Sequence, residues 1–266
     1  MTTIPPSAAV PVDVSVGGGT VSVQIEHGIG RIEFHHPKGN SLPGALLREL
    51  ADTVARVGAD PAARVILLSS SGTGPFCAGA SFDELVAIAD TAQGQEFFSG
   101  FARVILAMIR APKFVVTRVH GRAAGGAVGL IAASELTYAV AHASAKLSEL
   151  AIGIGPFVVG PAIERKIGLA AFSAMAVDAD WRDAAWGERH GLYSRVYDNV
   201  HEMDAALERE LTRLAACNPE AMAQLKRVFW AGTDGWDALL AERALMSGTM
   251  VLSEFTRNAI AGFKAR

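Results

Sequence analysis

The chain has 266 residues, half of them hydrophobic, and a mean hydropathy of +0.28. A chain of this length and composition can bury a substantial core in one large domain, or in one domain with a helical extension. Its 24 basic and 27 acidic side chains give a formal net charge of −3. A basic excess of the kind that binds nucleic acid or anionic membranes is absent, so we expect neither partner.

The cysteines and the first residues indicate the compartment. Cys77 and Cys217 lie far apart and form no metal-spaced pair, so we expect reduced thiols in a cytoplasmic protein. Residues 1–18 lack a basic n-region and a continuous apolar h-region, so we interpret them as a flexible leader rather than a secretory signal. Glycines and Glu135 interrupt the apolar stretch 123–141, which is typical of a buried helix and strand rather than a membrane span.

Strands and helices are predicted to alternate along the first part of the chain. Residues 21–26 and 31–35 alternate apolar and polar side chains around the sequence HGIG, which predicts a β-hairpin. The next predicted elements are a helix over 44–58, a strand over 65–69, a helix starting at Ser81, a helix over 93–110 and a strand over 114–119. This alternation indicates an α/β core.

After Gly160 the pattern becomes mainly helical, apart from a short strand over 193–197. The tail is predicted to form three helical segments, over 201–217, 219–230 and 235–264. It has a large apolar content for terminal helices, namely Trp230, Trp236, Leu239, Leu240, Leu245 and Met246. We therefore expect this surface to be buried between subunits.

Two features between Val119 and Gly160 have a chemical use. Gly125 and Gly126 lead into a predicted helix, so the backbone can approach a ligand closely and direct unpaired N–H groups at it. This arrangement suits a developing anion, such as a thioester oxygen becoming an enolate. Further on, Glu149 lies among apolar neighbours, where desolvation favours proton exchange near neutral pH. Taken alone, a glycine pair before a helix is more often just a tight strand-to-helix turn. A lone glutamate among apolar residues is more often solvent-tipped or ion-paired than catalytic.

A second glycine-containing turn precedes the helix that starts at Ser81. Ala78, Gly79 and Ala80 are small enough for the backbone to reach a ligand, and the stretch does not fit the phosphate-binding pattern GxxxxGK[ST]. Phe97 and Phe98 belong to an apolar helical stripe and are candidates for the border of an acyl pocket. His35 and His36 are adjacent, so on a strand they face opposite ways, and we expect no metal site.

Five segments in order resemble the crotonase (enoyl-CoA hydratase/isomerase) superfamily along almost the whole chain. They are GRIEFHHPKGNSL, GTGPFCAGASFDEL, VHGRAAGGAVGL, SELAIGIGPFVVG and HGLYSRVYD. The resemblance implies an α/β fold in which residues 19–200 form a spiral of ββα turns. It also implies that the C-terminal helices, residues 201–266, assemble homotrimers or homohexamers.

The resemblance also implies a site. Two backbone N–H groups, at Ala80 and Gly126, are expected to stabilise the enolate of an acyl-CoA thioester, with Glu149 as acid/base. No separate cofactor is expected, because coenzyme A is part of the substrate. Lys38 and Lys264 are candidate partners for its phosphates.

The departures from the family pattern bear on the reaction. Gly129 stands where many hydratases have a first glutamate, and we expect it to widen the substrate pocket. Ser81 and Asp83 replace an aspartate and a lysine of the family, which weakens the transfer of CoA contacts to this loop. A single carboxylate favours double-bond isomerisation, because one base can remove and return a proton. A 2-enoyl-CoA hydratase, suited to branched acyl chains and using Glu149 alone, and a non-catalytic acyl-CoA-binding protein are the alternatives.

Overall fold

The structure is a computed structural model, which describes the backbone of residues 12–264 and the side chains of residues 12–262. The strands are β1 (Val12–Val16), β2 (Gly19–Glu26), β3 (Ile29–His35), β4 (Val65–Ser70), β5 (Val115–Val119), β6 (Ala123–Ala124), β7 (Leu136–Val140), β8 (Ser144–Lys146), β9 (Arg182–Asp183) and β10 (Arg195–Tyr197). The helices are α1 (Gly44–Ala59), α2 (Phe82–Ala87), α3 (Thr91–Arg110), α4 (Gly126–Ala132), α5 (Gly160–Asp178), α6 (Ala184–Arg189), α7 (Val200–Ala215), α8 (Pro219–Phe229), α9 (Trp236–Met250) and α10 (Glu254–Lys264).

Within the described residues, seven strands form one sheet in the order β1-β2-β3-β4-β5-β7-β10. The predicted hairpin is confirmed, because β2 and β3 pair antiparallel from Glu26–Ile29 outward. The later neighbours, from β3 to β10, pair in parallel. A smaller sheet, β6-β8-β9, lies beside the turns at Gly125 and Glu149. The α/β class expected from the sequence is confirmed.

The leader expected over residues 1–18 includes a strand. Val12–Val16 forms β1 and pairs antiparallel with β2 from Val12↔Val23 to Val16↔Gly19. Alternating apolar residues at 12, 14 and 16 allow this pairing. The expectation is therefore wrong for residues 12–16, and residues 1–11 lie outside the described residues.

The C-terminal helices return to the body of their own chain. The predicted segment 235–264 is two helices rather than one, because α9 ends at Met250 and the Ser253 hydroxyl accepts a hydrogen bond from Thr256 N–H at 3.2 Å in the first turn of α10. Helix α9 packs on α3 where Gly94 meets Gly248, and a Cβ on Gly94 would lie 2.7 Å from the Gly248 Cα. Only glycine allows this close crossing.

Part of the apolar content of the tail is buried within the chain. Leu240 is 1% exposed, and the Trp230 and Trp236 rings are partly buried against the core and pack edge to face on each other. Leu245 and Met246 are 42% and 36% exposed, so they are the most open part of the predicted subunit surface. None of the helices within residues 12–264 has the length and apolarity that a bilayer span needs.

Candidate active site

A cavity of about 250 Å³ lies between the turn before α2, helix α3, the start of α4 and the loop after β8. It brings together eight residues that the sequence singled out, which are Ala78, Gly79, Ala80, Phe97, Phe98, Gly125, Gly126 and Glu149. These residues come from four separate parts of the chain. The cavity is therefore the candidate active site.

The turn that contains Ala80 is fixed on one side by Leu42. Leu42 N–H donates to the Gly79 carbonyl at 2.8 Å, and Ser81 N–H donates to the Leu42 carbonyl at 3.3 Å. Because the C=O and N–H of one trans peptide point in opposite directions, and the Gly79 carbonyl points at Leu42, the N–H of Ala80 points away from Leu42. Gly79 has φ +92°, and a Cβ there would lie 2.9 Å from the Ala124 carbonyl oxygen. The absence of a side chain on Gly79 therefore lets this turn lie close against β6, the strand that leads to Gly125 and Gly126.

The glycine pair lies between an aromatic ring and a carboxylate. Gly125 has φ +56°, and its N–H donates to the Lys146 carbonyl at 2.8 Å. Gly126 begins α4, so its N–H has no partner within the helix. A Cβ on Gly126 would lie 2.4 Å from the Phe101 ring, and one on Gly125 would lie 3.3 Å from Glu149 Oε1. The backbone of these two glycines is thus sandwiched between Phe101 and Glu149.

Glu149 has the electrostatic setting of a proton carrier. Its Oε2 is buried, and no described residue hydrogen-bonds to it. Burial raises the pKa of the Glu149 carboxyl from 4.5 to about 7, against a smaller lowering by the backbone groups of Glu149 and Ser148. Among the described residues that line the cavity, Glu149 is the only one with an ionisable side chain. A carboxyl with this pKa can take up and release a proton near neutral pH.

Gly129 does not widen the cavity, and that expectation is wrong. A Cβ on Gly129 would lie 2.6 Å from Val159 Cγ1 and 3.1 Å from Ile105 Cδ1. Gly129 is buried under Val159, and Val159 rather than Gly129 lines the cavity. A spacing of three residues places Gly129 and Gly126 on one face of the helix, but it carries no information about the residue that covers that face.

Two other acids near this turn, Asp83 and Glu84, are engaged elsewhere. Asp83 forms an exposed ion pair with Lys38. Glu84 Oε2 accepts the N–H of Gly44 at 2.7 Å, at the start of α1. Lys38 lies on the surface and does not line the cavity, and the Lys264 side chain lies outside the described residues, so the phosphate contacts of both stay predictions.

Several lining residues were not foreseen from the sequence. They are Phe82, Leu85, Phe101, Ser148, Ile152, Ile154, Gly155, Pro156, Phe157, Val158, Val159 and Ser247. Ser148, Ile152, Ile154 and the stretch 155–159 follow or precede Glu149 closely in sequence, so proximity to the predicted base was an available signal. Ser247 comes from α9 and is 1% exposed. Nothing local in the sequence relates it to a site some hundred residues earlier.

His35 and His36 show the opposite orientations expected of strand neighbours. His35 is exposed and His36 is buried, where its Nδ1 is 3.1 Å from the Ser41 hydroxyl. Burial lowers the pKa of His36. Among the described residues, no group of three or more His, Cys, Asp or Glu side chains is arranged to hold a metal ion.

Comparison with known proteins shows the family to which a chain with this fold belongs. The sequence profile of the enoyl-CoA hydratase/isomerase family matches residues 24–260. The chain therefore belongs to that family, whose members are lyases and isomerases acting on acyl-CoA.

Known relatives are similar over most of the chain. Carnitinyl-CoA dehydratase of Proteus mirabilis is 28% identical over 205 residues, 76% of this chain and 77% of that protein. A probable enoyl-CoA hydratase of Mycobacterium leprae is 28% identical over 261 residues, 93% of this chain and 96% of that protein. The crystal structure of enoyl-CoA hydratase from Bacillus halodurans has a TM-score of 0.85 at 17% identity, covering 91% of this chain and 99% of that one. This last likeness concerns the fold alone, and it agrees with the crotonase fold expected from the sequence.

Proposed function

We propose that this protein is an acyl-CoA double-bond isomerase in which Glu149 is the single acid/base. The thioester carbonyl is bound by the N–H groups of Ala80 and Gly126. Ionised Glu149 removes a proton from the α-carbon of a 3-enoyl-CoA, and the negative charge moves through a dienolate to the thioester oxygen. The same carboxyl then returns the proton to the γ-carbon, which gives the 2-enoyl-CoA. The net reaction moves one proton and needs no water or further cofactor.

The observation that supports this proposal is the isolation of Glu149 in an apolar cavity. Water activation together with proton delivery is divided most easily between two carboxylates, whereas a proton shuttle needs one. The position of a second carboxylate, Gly129, is covered by Val159. Hydrogen-bond donors in a water-poor site also stabilise an enolate more strongly than they would in water.

Hydration of a 2-enoyl-CoA by Glu149 alone is the second candidate. The activities for which two relatives are named, carnitinyl-CoA dehydratase and probable enoyl-CoA hydratase, favour it. The chemistry would require Glu149 to activate water and then deliver the proton in sequence. A non-catalytic acyl-CoA-binding protein would have no need of a buried carboxyl whose pKa is raised to about 7, because burial of that group costs stability.

The proposal also includes the oligomeric state of the protein and its location in the cell. Leu150, Val177, Met250 and Phe255 are 48%, 71%, 44% and 70% exposed, and the last two belong to the C-terminal helices. Apolar surface of this kind supports a homotrimer or homohexamer. A cytoplasmic location is consistent with the free thiols of Cys77 and Cys217.

Parallel assays of 3-enoyl-CoA isomerisation and 2-enoyl-CoA hydration, over a series of acyl lengths, test the proposed function. We expect isomerisation to have the higher kcat/KM with every substrate that is turned over. A higher kcat/KM for hydration would favour the second candidate. Binding of acyl-CoA without either reaction would favour the non-catalytic alternative.

A further inference from the structure

The cavity wall beyond the reacting centre is largely aromatic. Phe82, Phe97, Phe98, Phe101 and Phe157 all line it. The rings of Phe97 and Phe98 meet edge to face, with centroids 5.0 Å apart and an interplanar angle of 89°. Such a pair presents both a ring face and a ring edge, the two surfaces against which another ring packs favourably.

The aromatic wall begins at the carbonyl-binding turn. The Phe101 ring lies against Gly126, since a Cβ there would be 2.4 Å from the ring. An acyl group whose carbonyl is held at Gly126 therefore meets Phe101 at its first carbons. A bulky group attached close to the thioester is accommodated by this wall, and it would reach Phe97 and Phe98 without a long spacer.

The cavity has the volume of a ring and a short linker. It measures about 250 Å³, whereas an apolar cavity of roughly 150 Å³ lined by Leu, Ile and Phe binds benzene. The difference leaves room for the one or two carbons that join a ring to the thioester carbonyl. A ring fills such a compact space with fewer rotatable bonds than a linear chain of the same carbon number, so less conformational entropy is lost on binding.

The electrostatics of the wall favour an uncharged group. Glu149 is the only ionisable side chain among the described lining residues. A second carboxylate on the acyl chain would be repelled by ionised Glu149 and desolvated among the phenylalanines. A cationic group would pair with Glu149 and hold it ionised, in the position from which it must exchange a proton.

We propose that the acyl group of the substrate is uncharged and contains a six-membered carbocyclic ring, joined to the thioester carbonyl through one or two carbons. This inference rests on the proposed function for the position of the carbonyl. It assigns Phe97, Phe98 and Phe101 as the residues that determine specificity.

Calorimetric binding of unreactive thioesters tests the ring preference without any turnover. Cyclohexylacetyl-CoA and octanoyl-CoA have the same number of acyl carbons, and glutaryl-CoA and a trimethylammonium-ended acyl-CoA supply the two charges. We expect cyclohexylacetyl-CoA to bind about three- to tenfold more tightly than octanoyl-CoA, because its ring has fewer rotatable bonds to immobilise and packs its surface on the phenylalanine rings. Equal or tighter binding of the linear thioester, or of either charged one, would overturn the inference.

Two variants test whether the phenylalanine rings of the cavity wall cause the preference for a ring-containing acyl group. Phe97→Leu retains apolar bulk but removes the ring, so the advantage of cyclohexylacetyl-CoA should fall, leaving the part that comes from its fewer rotatable bonds. Phe229→Leu is the matched control, because Phe229 is 47% exposed on α8 and does not line the cavity. Thermal unfolding of both variants checks the fold. Retention of the full ring preference in folded Phe97→Leu would contradict the assignment.

A turnover assay separates this inference from the proposed function. Cyclohex-1-enylacetyl-CoA and oct-3-enoyl-CoA are compared as isomerase substrates. Ring-selective binding without isomerisation of either would contradict the proposed function and leave the ring preference standing. Isomerisation with a preference for oct-3-enoyl-CoA would support the proposed function and overturn the ring preference.

Discussion

Val159 occupies the space that a side chain on Gly129 would need. A Cβ on Gly129 would lie 2.6 Å from Val159 Cγ1 and 2.8 Å from Val159 Cβ. Val159 comes just before α5 and is 4% exposed, so it has little freedom to move away. Val159 therefore separates the cavity from Gly129, the position on α4 where a second carboxylate would stand.

The first prediction follows from this contact. Gly129→Ala should lower the free energy of unfolding by about 1–3 kcal/mol, the usual cost of overpacking a core. In a Val159→Gly background the same substitution should cost much less, because both Val159 atoms that it meets, Cβ and Cγ1, are removed. Denaturant unfolding of the four proteins in a double-mutant cycle measures the coupling. Additive effects would show that Val159 does not close this position.

The second prediction concerns stability and Glu149. In the folded protein the Glu149 carboxyl keeps its proton up to a pH of about 7, whereas an ordinary glutamate releases its proton near pH 4.5. The contribution of Glu149 to the free energy of unfolding is therefore fully present below pH 4.5 and is lost as the pH rises through about 7. Glu149→Gln should be more stable than the parent at pH 8, by up to about 3 kcal/mol, and nearly equal at pH 4.

Unfolding at both pH values measures that difference. Glu164→Gln is the matched control, because Glu164 is exposed on α5 and should show no pH-dependent gain. A Glu149→Gln variant that is no more stable than the parent at pH 8 would mean that the carboxyl is not desolvated in the folded protein.

The third prediction concerns the rate. The base form of Glu149 is required to begin the reaction, so kcat/KM for isomerisation should rise about tenfold per pH unit below the pKa and level off above about 7. A pH–rate profile from pH 5 to 9 measures this rise of kcat/KM and the pH at which it levels off. A profile that is flat down to pH 5 would assign the rate to a group with an ordinary carboxyl pKa.

The fourth prediction concerns the turn that carries Ala80. Gly79→Ala should lower kcat about 10²-fold or more, because φ +92° is unfavourable for alanine and its Cβ would lie 2.9 Å from the Ala124 carbonyl. Gly74→Ala is the control, since a Cβ there meets nothing within 4 Å. Normal turnover by folded Gly79→Ala would remove this turn from the carbonyl-binding site. Gly126 is a poorer choice for mutation, because any Cβ there would also displace the buried Phe101 ring.

The sequence predicted most elements of the α/β core and several residues that meet in the cavity. The hairpin around HGIG, the amphipathic α1 and the fully buried strand β4 were predicted because side-chain periodicity follows from local backbone geometry. Gly79, Gly125 and Glu149 were identified because backbone approach and carboxyl chemistry depend on residue type. Their meeting in one cavity confirms that these local signals pointed to the same place.

What the sequence did not provide depends on contacts between distant segments. Val159 over Gly129, and Ser247 at the cavity wall, are known only once α5 and α9 have packed on α4 and α3. The division of the last helical segment into α9 and α10 was missed because apolar periodicity continues across residues 251–253. Side-chain pattern along one segment contains no information about which neighbour covers it.

The most direct test of the central claim is the Glu149→Gln variant, assayed for 3-enoyl-CoA isomerisation and for exchange of α-protons with deuterium in the solvent. If Glu149 is the proton carrier, the variant retains acyl-CoA binding, its turnover falls by about 10²–10⁴-fold and its exchange is lost. Exchange in the parent protein should be observed even with a saturated acyl-CoA. Unchanged turnover and exchange in folded Glu149→Gln would contradict the assignment of this residue as the proton carrier.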